Sequence, residues 1–310
     1  MSEIELHRKL LGDKVRNDAL HAALKRVIRP GASVADIGAG TGFLSFLARR
    51  LGAAHCHLYE YSDALALARE LARRNGITGL TFVQAHSREV ARPPKADVVV
   101  SETLGNFALE EGLLETLADA RRFLKPGGTL LPCALRQFVA PVISARLQDE
   151  IDVWPRVGHD LDLAAARAIA LNNMYVKTVR VADLPGPESA RLWDEIDFTA
   201  KAKPSSQRSG AATWRSRDLG GATVHGLALW WEVEWVPGVA LSTSPYAPAT
   251  HWEQVYLPLL EPLATAGGDL ELQLSSDTRR GVRLVWETRL RGAGGKPLAQ
   301  QRQDLLKGRL

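Results

Sequence analysis

The chain has 310 residues, 45% hydrophobic and 24% charged, a balance that suits a globular protein with a sizeable core and excludes a disordered or fibrous one. Net charge is only +4 and the basic doublets fall in amphipathic segments or turns, so no basic face argues for nucleic acid. No run approaches about 18 apolar residues, the opening MSEIELHRKL lacks a signal-peptide core, and two cysteines, Cys56 and Cys133, make no disulfide framework, so no membrane partner and a reducing, cytoplasmic setting are expected.

In chain order, SVADIG (33–38) reads as a buried strand and GFLSFLARRLG (42–52) as the helix after it. HCHLYE (55–60) is a second strand, and DALALARELARRNG a helix stopped at Asn75–Gly76. LTFVQA (80–85) and ADVVVSE (96–102) are two more strands, then EEGLLETLADARRFL reads as a helix ending at a KPGG turn before TLLP. Strand–helix alternation predicts an α/β domain with a doubly wound, mostly parallel sheet. After Cys133 the pattern changes. Residues 134–150 and 220–291 carry alternating runs such as VHGLALWWEVEW, which predict antiparallel strands of a barrel or sandwich. Between them DLDLAAARAIALNNMY (160–175) reads as helix and KAKPSSQRSGAA (201–212) as a polar loop. The expected domains are 1–133, with a short N-terminal helix, and 134–310, with a helical insert at about 155–180.

The stretch VADIGAGTGFLS sets Asp36, then Gly38, Gly40 and Gly42, between a strand and a helix. Glycines there permit a tight turn and close approach of the backbone to a ligand at the helix N-terminus. Glu60 ends the next strand, where a carboxylate can accept both hydroxyls of a ribose. Alone, the glycine string is a strand-to-helix turn, and a dinucleotide dehydrogenase would set its third glycine one place later. The G-x-G-x-G spacing, with an acid two residues ahead, resembles the first motif of class I methyltransferases that use S-adenosylmethionine. That resemblance implies cofactor contacts at Asp36, Gly38, Gly40, Thr41, Gly42 and Glu60.

SETLGNFALEE (Ser101–Glu111) sets Glu102 and Glu111 nine residues apart after a buried strand. A carboxylate costs several kcal/mol to desolvate unless a cation meets it. The stretch is similar to the double-glutamate loop of protein arginine methyltransferases, in which Glu110 is the unneeded neighbour. Thr250-His251-Trp252 resembles that family's THW loop, Gln254 included. HRKLLGDKVR resembles its His-x-x-Met-Leu-x-Asp-x-x-Arg segment through His7, Asp13 and Arg16, with Leu10 in place of methionine. LKPGGTLLP and LSTSP match as well, so the resemblance spans nearly the whole chain. The chain is identified as a short, divergent, bacterial-type member.

The resemblance implies a Rossmann-like class I methyltransferase domain followed by a β-barrel domain with an insert like a dimerisation arm, hence a homodimer. It implies that Glu102 and Glu111 hold a guanidinium through paired, charge-assisted hydrogen bonds. Asp13 and His251 form a dyad beside them, Arg16 binds the methionine carboxylate of the cofactor, His7 lies against the cofactor, and Trp252 is on the substrate side. The adenine amino group falls to Ser87 or Arg88, with Glu89 just beyond. Taken singly, Glu111 could begin a helix, Glu102 could cap a turn, and His251–Trp252 could be a core pair. His55, Cys56 and His57 lack a fourth ligand of suitable spacing, so no metal is expected.

Besides Leu10 and the adenine position, where the family has a glutamate, the sequence departs from the family in two places. Only MSEIEL precedes His7, without the aromatic lid motif Tyr-Phe-x-x-Tyr, and Thr103-Leu104-Gly105-Asn106 replaces Trp-Met-Gly-Tyr. The expected activity is therefore methyl transfer from S-adenosyl-L-methionine, releasing S-adenosyl-L-homocysteine, onto arginine in a protein or peptide. Its rivals are the same clamp acting on a small-molecule guanidine or amine, and a non-catalytic binding platform.

Overall fold

A computed structural model describes residues 3–309; Met1, Ser2 and Leu310, at the outer ends of the two expected domains, lie outside the described residues. The chain opens with two helices, α1 (Glu3–Gly12) and α2 (Lys14–Val27). They are separated at Asp13, whose carboxylate caps α2 by accepting from the Arg16 backbone N–H at 2.9 Å. Next come β1 (Ser33–Ile37), α3 (Phe43–Arg50), β2 (His55–Tyr59), α4 (Ala64–Arg74), β3 (Leu80–Val83), β4 (Ala96–Val100), α5 (Leu113–Ala120) and β5 (Leu124–Leu131). The five strands form a parallel sheet in the order β3-β2-β1-β4-β5. Strands β1 and β4 are almost wholly buried, which is why they read as unbroken apolar runs. The order reverses between β1 and β4, so the crevice beyond their carboxyl ends is the place where such sheets bind ligands.

The second half is antiparallel. Strands β6 (Ala134–Val142), β7 (Tyr175–Lys177), β8 (Arg191–Asp197), β10 (Thr223–Val236), β11 (Val239–Ser242) and β12 (Gln254–Ala264) make a six-stranded sheet. Strands β9 (Gln207–Trp214), β13 (Asp269–Asp277), β14 (Arg283–Arg291) and β15 (Pro297–Asp304) make a four-stranded one. Trp214, Trp231, Trp235 and Trp286 are fully buried here. A single apolar cluster runs from Val100 and Leu104 through Trp231 and Trp252 to Trp286, so the parallel and antiparallel halves share one core. Among the described residues, no helix is long and apolar enough to cross a membrane.

Several sequence expectations are corrected. Residues 143–150 are not strand but include α6 (Arg146–Ile151). The helix expected over 160–175 shrinks to α7 (Ala164–Ala170), because Tyr175–Lys177 pairs with β12 as β7. The second half of the supposed polar loop is β9, whose partner β13 supplies the ladder that its small polar residues do not advertise. Gly210 is needed in it, since a Cβ there would fall 1.9 Å from the Trp193 carbonyl oxygen on β8. The KPGG segment lies inside β5 rather than ahead of it, at a register shift against β4. Helix α5 starts only after Gly112, which is left-handed at φ 70°, so Glu110 and Glu111 stand in the loop before it.

Candidate active site

Asp36, at the end of β1, is 1% exposed and accepts from Ser45 through N–H at 3.1 Å and Oγ–H at 2.7 Å, tying α3 to the sheet. Burial pushes its pKa up to about 6 against those two bonds. Gly38, Gly40 and Gly42 all have positive φ, at 71°, 50° and 80°, conformations open to glycine at little cost. At Gly40 the reason is also space: a Cβ would meet His7 Cε1 at 2.7 Å, so α1 rests its imidazole directly on the loop. Glu60 shapes the same loop, its two oxygens accepting from Gly40 N–H at 2.9 Å and Ser62 N–H at 2.8 Å. Thr41 is buried within the turn.

Beyond the loop lies a cavity of about 90 Å³, lined among others by Gly38, Tyr59, Tyr61, His86, Ser87 and Thr103. The hydroxyls of Tyr59, Ser87 and Thr103, and Asp36 Oδ1, are buried without a hydrogen-bond partner. Buried polar groups are nearly always satisfied, so four orphans around one end of the crevice mark a place for a polar ligand. Of the two adenine candidates, only Ser87 faces this cavity. Arg88 is exposed and outside its lining. Glu89 is likewise exposed and accepts from His86 N–H.

The glutamate loop leaves β4 at Ser101, which is stitched to both neighbouring strands by Oγ–H to the Ile37 carbonyl (2.9 Å) and N–H to that of Leu131 (3.0 Å). Glu102 is then gripped by Arg16, whose Nε donates to Oε2 at 2.7 Å and whose Nη2 donates to the same oxygen. Both side chains are almost fully buried. Asp13, on the preceding turn, accepts from the His251 backbone N–H at 2.9 Å and its ring Nδ1 lies 2.7 Å away. Burial opposes the ionised form of Asp13, but these bonds and the Arg16 N–H hold its carboxyl below the usual range.

The barrel half fixes the rest of the loop. Trp252 Nε1 donates to the Leu104 carbonyl at 2.7 Å, and Trp231 Nε1 is 3.2 Å from the carbonyls of Gly105 and Asn106. Asn106 donates back to the Trp252 carbonyl at 2.6 Å. Trp252 is 2% exposed and packs edge-on against Trp231 with ring centroids 4.8 Å apart. Glu110 fills the space over Gly105, where a Cβ would meet its Oε2 at 2.6 Å, and accepts from the Phe107 N–H.

Glu111 is open to solvent at the loop end. Crowding by the cleft walls, then the charges of Glu102 and Glu110, push its pKa up to about 7. It is the residue common to the small cavity and to a larger one of about 560 Å³. The larger cavity is lined by Glu102, Asn106, His251 and Glu253 among others, with Leu6, Lys9 and Leu10 of α1 over it. The N-terminal helix therefore covers part of the site without any aromatic residue. Glu102, Glu111, His251 and Trp252 all line the larger cavity, with Arg16 bonded to Glu102 and Asp13 to His251.

The sequence alone gives Glu110 no role and does not single out Trp231 or Glu253. Alternation in ALWWEVEW turns Trp231 inward, but its partner at Gly105 lies 126 residues away and leaves no local signal. Among the described residues, no group of three His, Cys, Asp or Glu side chains is placed to hold a metal.

Residues 28–177 match a family model described as a methyltransferase domain, and residues 136–281 match one described as the arginine methyltransferase oligomerization subdomain. A protein arginine N-methyltransferase 6 from Xenopus tropicalis is 31% identical over 289 residues, covering 89% of this chain and 82% of the relative. The chain belongs to the protein arginine N-methyltransferase family. As a member it is an S-adenosylmethionine-dependent methyltransferase. A probable protein arginine N-methyltransferase 3 from Arabidopsis thaliana is 31% identical over 322 residues, 90% of this chain and 50% of that one. A Trypanosoma brucei PRMT1 enzyme–prozyme heterotetrameric complex with AdoHcy superposes with a TM-score of 0.83 at 24% identity over 96% of both chains. An open-conformation Arabidopsis thaliana protein arginine methyltransferase 10 gives 0.81 at 19% identity, over 96% and 97%. These two likenesses establish the fold, a Rossmann-like methyltransferase domain followed by a β-barrel domain.

Proposed function

We propose that this chain methylates a guanidino nitrogen of arginine in a protein or peptide, and that Glu102 and Glu111 are the groups that hold the guanidinium. The observation that carries this reading is the position of Glu111, an acid of raised pKa on the wall common to the two cavities, electrostatically coupled to Glu102.

The smaller cavity suits one end of the adenosyl part of S-adenosyl-L-methionine, because its orphaned hydroxyls on Tyr59, Ser87 and Thr103 answer a polar, hydroxylated ligand. Gly38, Gly40, Thr41 and Gly42 form the turn that admits it, over the N-terminus of α3. Asp36 holds that turn to the helix, Glu60 keeps lone pairs for the ribose, and His7 closes over Gly40. Arg16 offers its guanidinium to the methionine carboxylate as well as to Glu102. When bound, the donor supplies an electrophilic methyl on sulfonium sulfur.

The two acids then divide the work. Arg16 pins Glu102 through two donors to one carboxylate oxygen, whereas Glu111 is half-protonated near neutral pH until a guanidinium arrives and favours its charged form. Paired carboxylates localise the positive charge on two nitrogens and leave the third with a lone pair for attack. Positioning supplies much of the acceleration. Asp13, accepting from Nδ1 of His251, leaves Nε2 as the ring nitrogen free to orient an acid or take a proton. The nitrogen sheds one proton per transfer, and the raised pKa of Glu111 suits it to receive that proton.

In the same reading, residues 1–133 form the donor domain and 134–310 the barrel domain. The match to an oligomerization subdomain supports an oligomer, which this reading takes as a homodimer built through the segment at about 155–180 and placed in the cytoplasm. The test is transfer of labelled methyl into a panel of arginine peptides and into a cell extract split by molecular size, beside Glu111→Gln. Label in peptides or macromolecules that vanishes with the variant is expected. Label confined to small molecules moves the activity to a metabolite guanidine or amine, and no transfer at all leaves a binding platform.

A further inference from the structure

The larger cavity contains a third acid with no part in the clamp. Glu253 directly follows His251 and Trp252 and lines the same cavity as Glu102 and Glu111. Its backbone sits at φ 52°, a left-handed conformation that glutamate seldom adopts. Its neighbours enforce it. Trp252 is buried on one side, and on the other Gln254 is locked by accepting from Val179 N–H at 2.9 Å and donating to the Thr243 carbonyl at 2.8 Å. Between two residues pinned inward, Glu253 is carried to the cavity rim. There Thr178 Oγ donates to its Oε1 at 2.7 Å, on the turn after β7.

That single neutral bond leaves the charge of Glu253 unanswered. Among the described residues it forms no ion pair; Lys177, the residue before Thr178, is engaged with Glu150 at 2.7 Å. The one cation lining the cavity, Lys9, projects from α1 and has no partner of its own among the described residues. The rim is therefore polarised, with a base on the helical side and an unpaired acid on the barrel side. An outlying backbone held in place beside a reaction centre is the kind of cost that a functional contact accounts for.

We propose that Glu253 is a specificity-determining residue that favours target peptides carrying Arg or Lys beside the methylated arginine. This rests on the peptide-arginine reading above. A cationic side chain flanking the target would meet the carboxylate at a half-buried rim, where complementary charge sets selectivity more than overall rate. The contact is absent when the flanking residue is neutral, and an acidic one is repelled.

The experiment compares kcat/KM for matched peptides with a basic, neutral or acidic residue at each position flanking one arginine, using wild type, Glu253→Gln and Glu253→Lys. Wild type should prefer the best basic peptide over its neutral match by about two- to fivefold, the scale of a partly exposed ion pair. Glu253→Gln, which keeps side-chain size and the strained turn, should bring that ratio close to one. Glu253→Lys should invert it towards acidic neighbours. A ratio unchanged in both variants overturns the proposal, as does a wild type indifferent to flanking charge. Failure of wild type to methylate any peptide defeats the peptide-arginine reading instead, and the two failures are thereby told apart. Thermal melts of the variants identify any loss that comes from misfolding.

Discussion

Arg16 and Glu102 form a buried ion pair in which two guanidinium nitrogens converge on one carboxylate oxygen, Oε2, leaving Oε1 to the Leu104 N–H at 3.2 Å and to the cavity. One acid of the proposed clamp is thus held by helix α2, and the other is not. Removing the arginine alone should be costly, because it strands a buried charge. Arg16→Ala is expected to lower stability by about 3–5 kcal/mol. Urea unfolding of Arg16→Ala beside the Arg16→Ala/Glu102→Gln double variant checks this, since the second change should restore part of the loss. Calorimetry should show weakened cofactor binding in Arg16→Ala.

Glu111 carries a pH signature. Its carboxyl titrates at about 7 in the folded protein, above its unfolded value. A raised acid favours the folded state fully below the unfolded pKa, and that contribution is lost as pH rises through the folded pKa. Glu111→Gln should therefore melt higher than wild type at about pH 8 and converge with it at about pH 4. The same variant should lower turnover at least about a hundredfold, the scale of a positioned acid.

Peptide binding should take up the same linkage. A guanidinium favours the charged form of Glu111, so binding below about pH 7 must expel a proton. Titration calorimetry in buffers of different ionisation enthalpy should show proton release at about pH 6 and little at about pH 8. Equal heats in all buffers at the lower pH would contradict the assignment of Glu111 to the substrate.

Asp13 behaves in the opposite sense. Burial raises its pKa, but the His251 ring, then the Arg16 and His251 backbone donors, outweigh it and hold it low. Its contribution to stability is present above the unfolded pKa and lost as pH falls through the folded one. Asp13→Asn keeps a good helix cap yet sets no carboxylate against the His251 ring, so kcat should fall about tenfold or more while circular dichroism is unchanged. The stability gap from wild type should narrow as pH falls through the folded-state titration of Asp13.

Gly40 offers a paired test. Alanine there would meet His7 Cε1 at 2.7 Å and carry the strain of φ 50°. Gly40→Ala should weaken cofactor affinity, and His7→Ala in the same chain should recover the part due to the clash but not the part due to the backbone, about 1 kcal/mol. Equilibrium dialysis of labelled donor separates the two.

How far the sequence alone reaches depends on whether a role is local. The turn at Gly38, Gly40 and Gly42 is legible because positive φ selects glycine and the flanking strand and helix have different periods. The spacing of Glu102 and Glu111, together with His251, is legible because several motifs must keep order along the chain. Glu110 bonding its own loop, Trp231 reaching Gly105, and Glu253 standing at the rim are tertiary facts with no spacing rule. Strand β9 hides for a similar reason. Its Gly, Ser and Ala residues have weak strand preference, and pairing with β13 decides the matter. Arg16 is expected as a cofactor ligand by resemblance, but its grip on Glu102 emerges only when α2 meets the loop that follows β4.

The two tryptophans that brace the glutamate loop also bear on how this protein comes apart. Glu102 and Glu111 are encoded in the first half of the chain, yet the carbonyls of Leu104, Gly105 and Asn106 between them are hydrogen-bonded by indoles from the second half. The shared apolar cluster crosses the same seam. Heat or denaturant should consequently unfold both halves in a single cooperative transition. A fragment ending at Cys133 would expose the inner face of Leu104 and release its loop. It would keep the donor turn without the catalytic posture, so recombination between relatives must exchange the loop and its two indoles as one inherited unit.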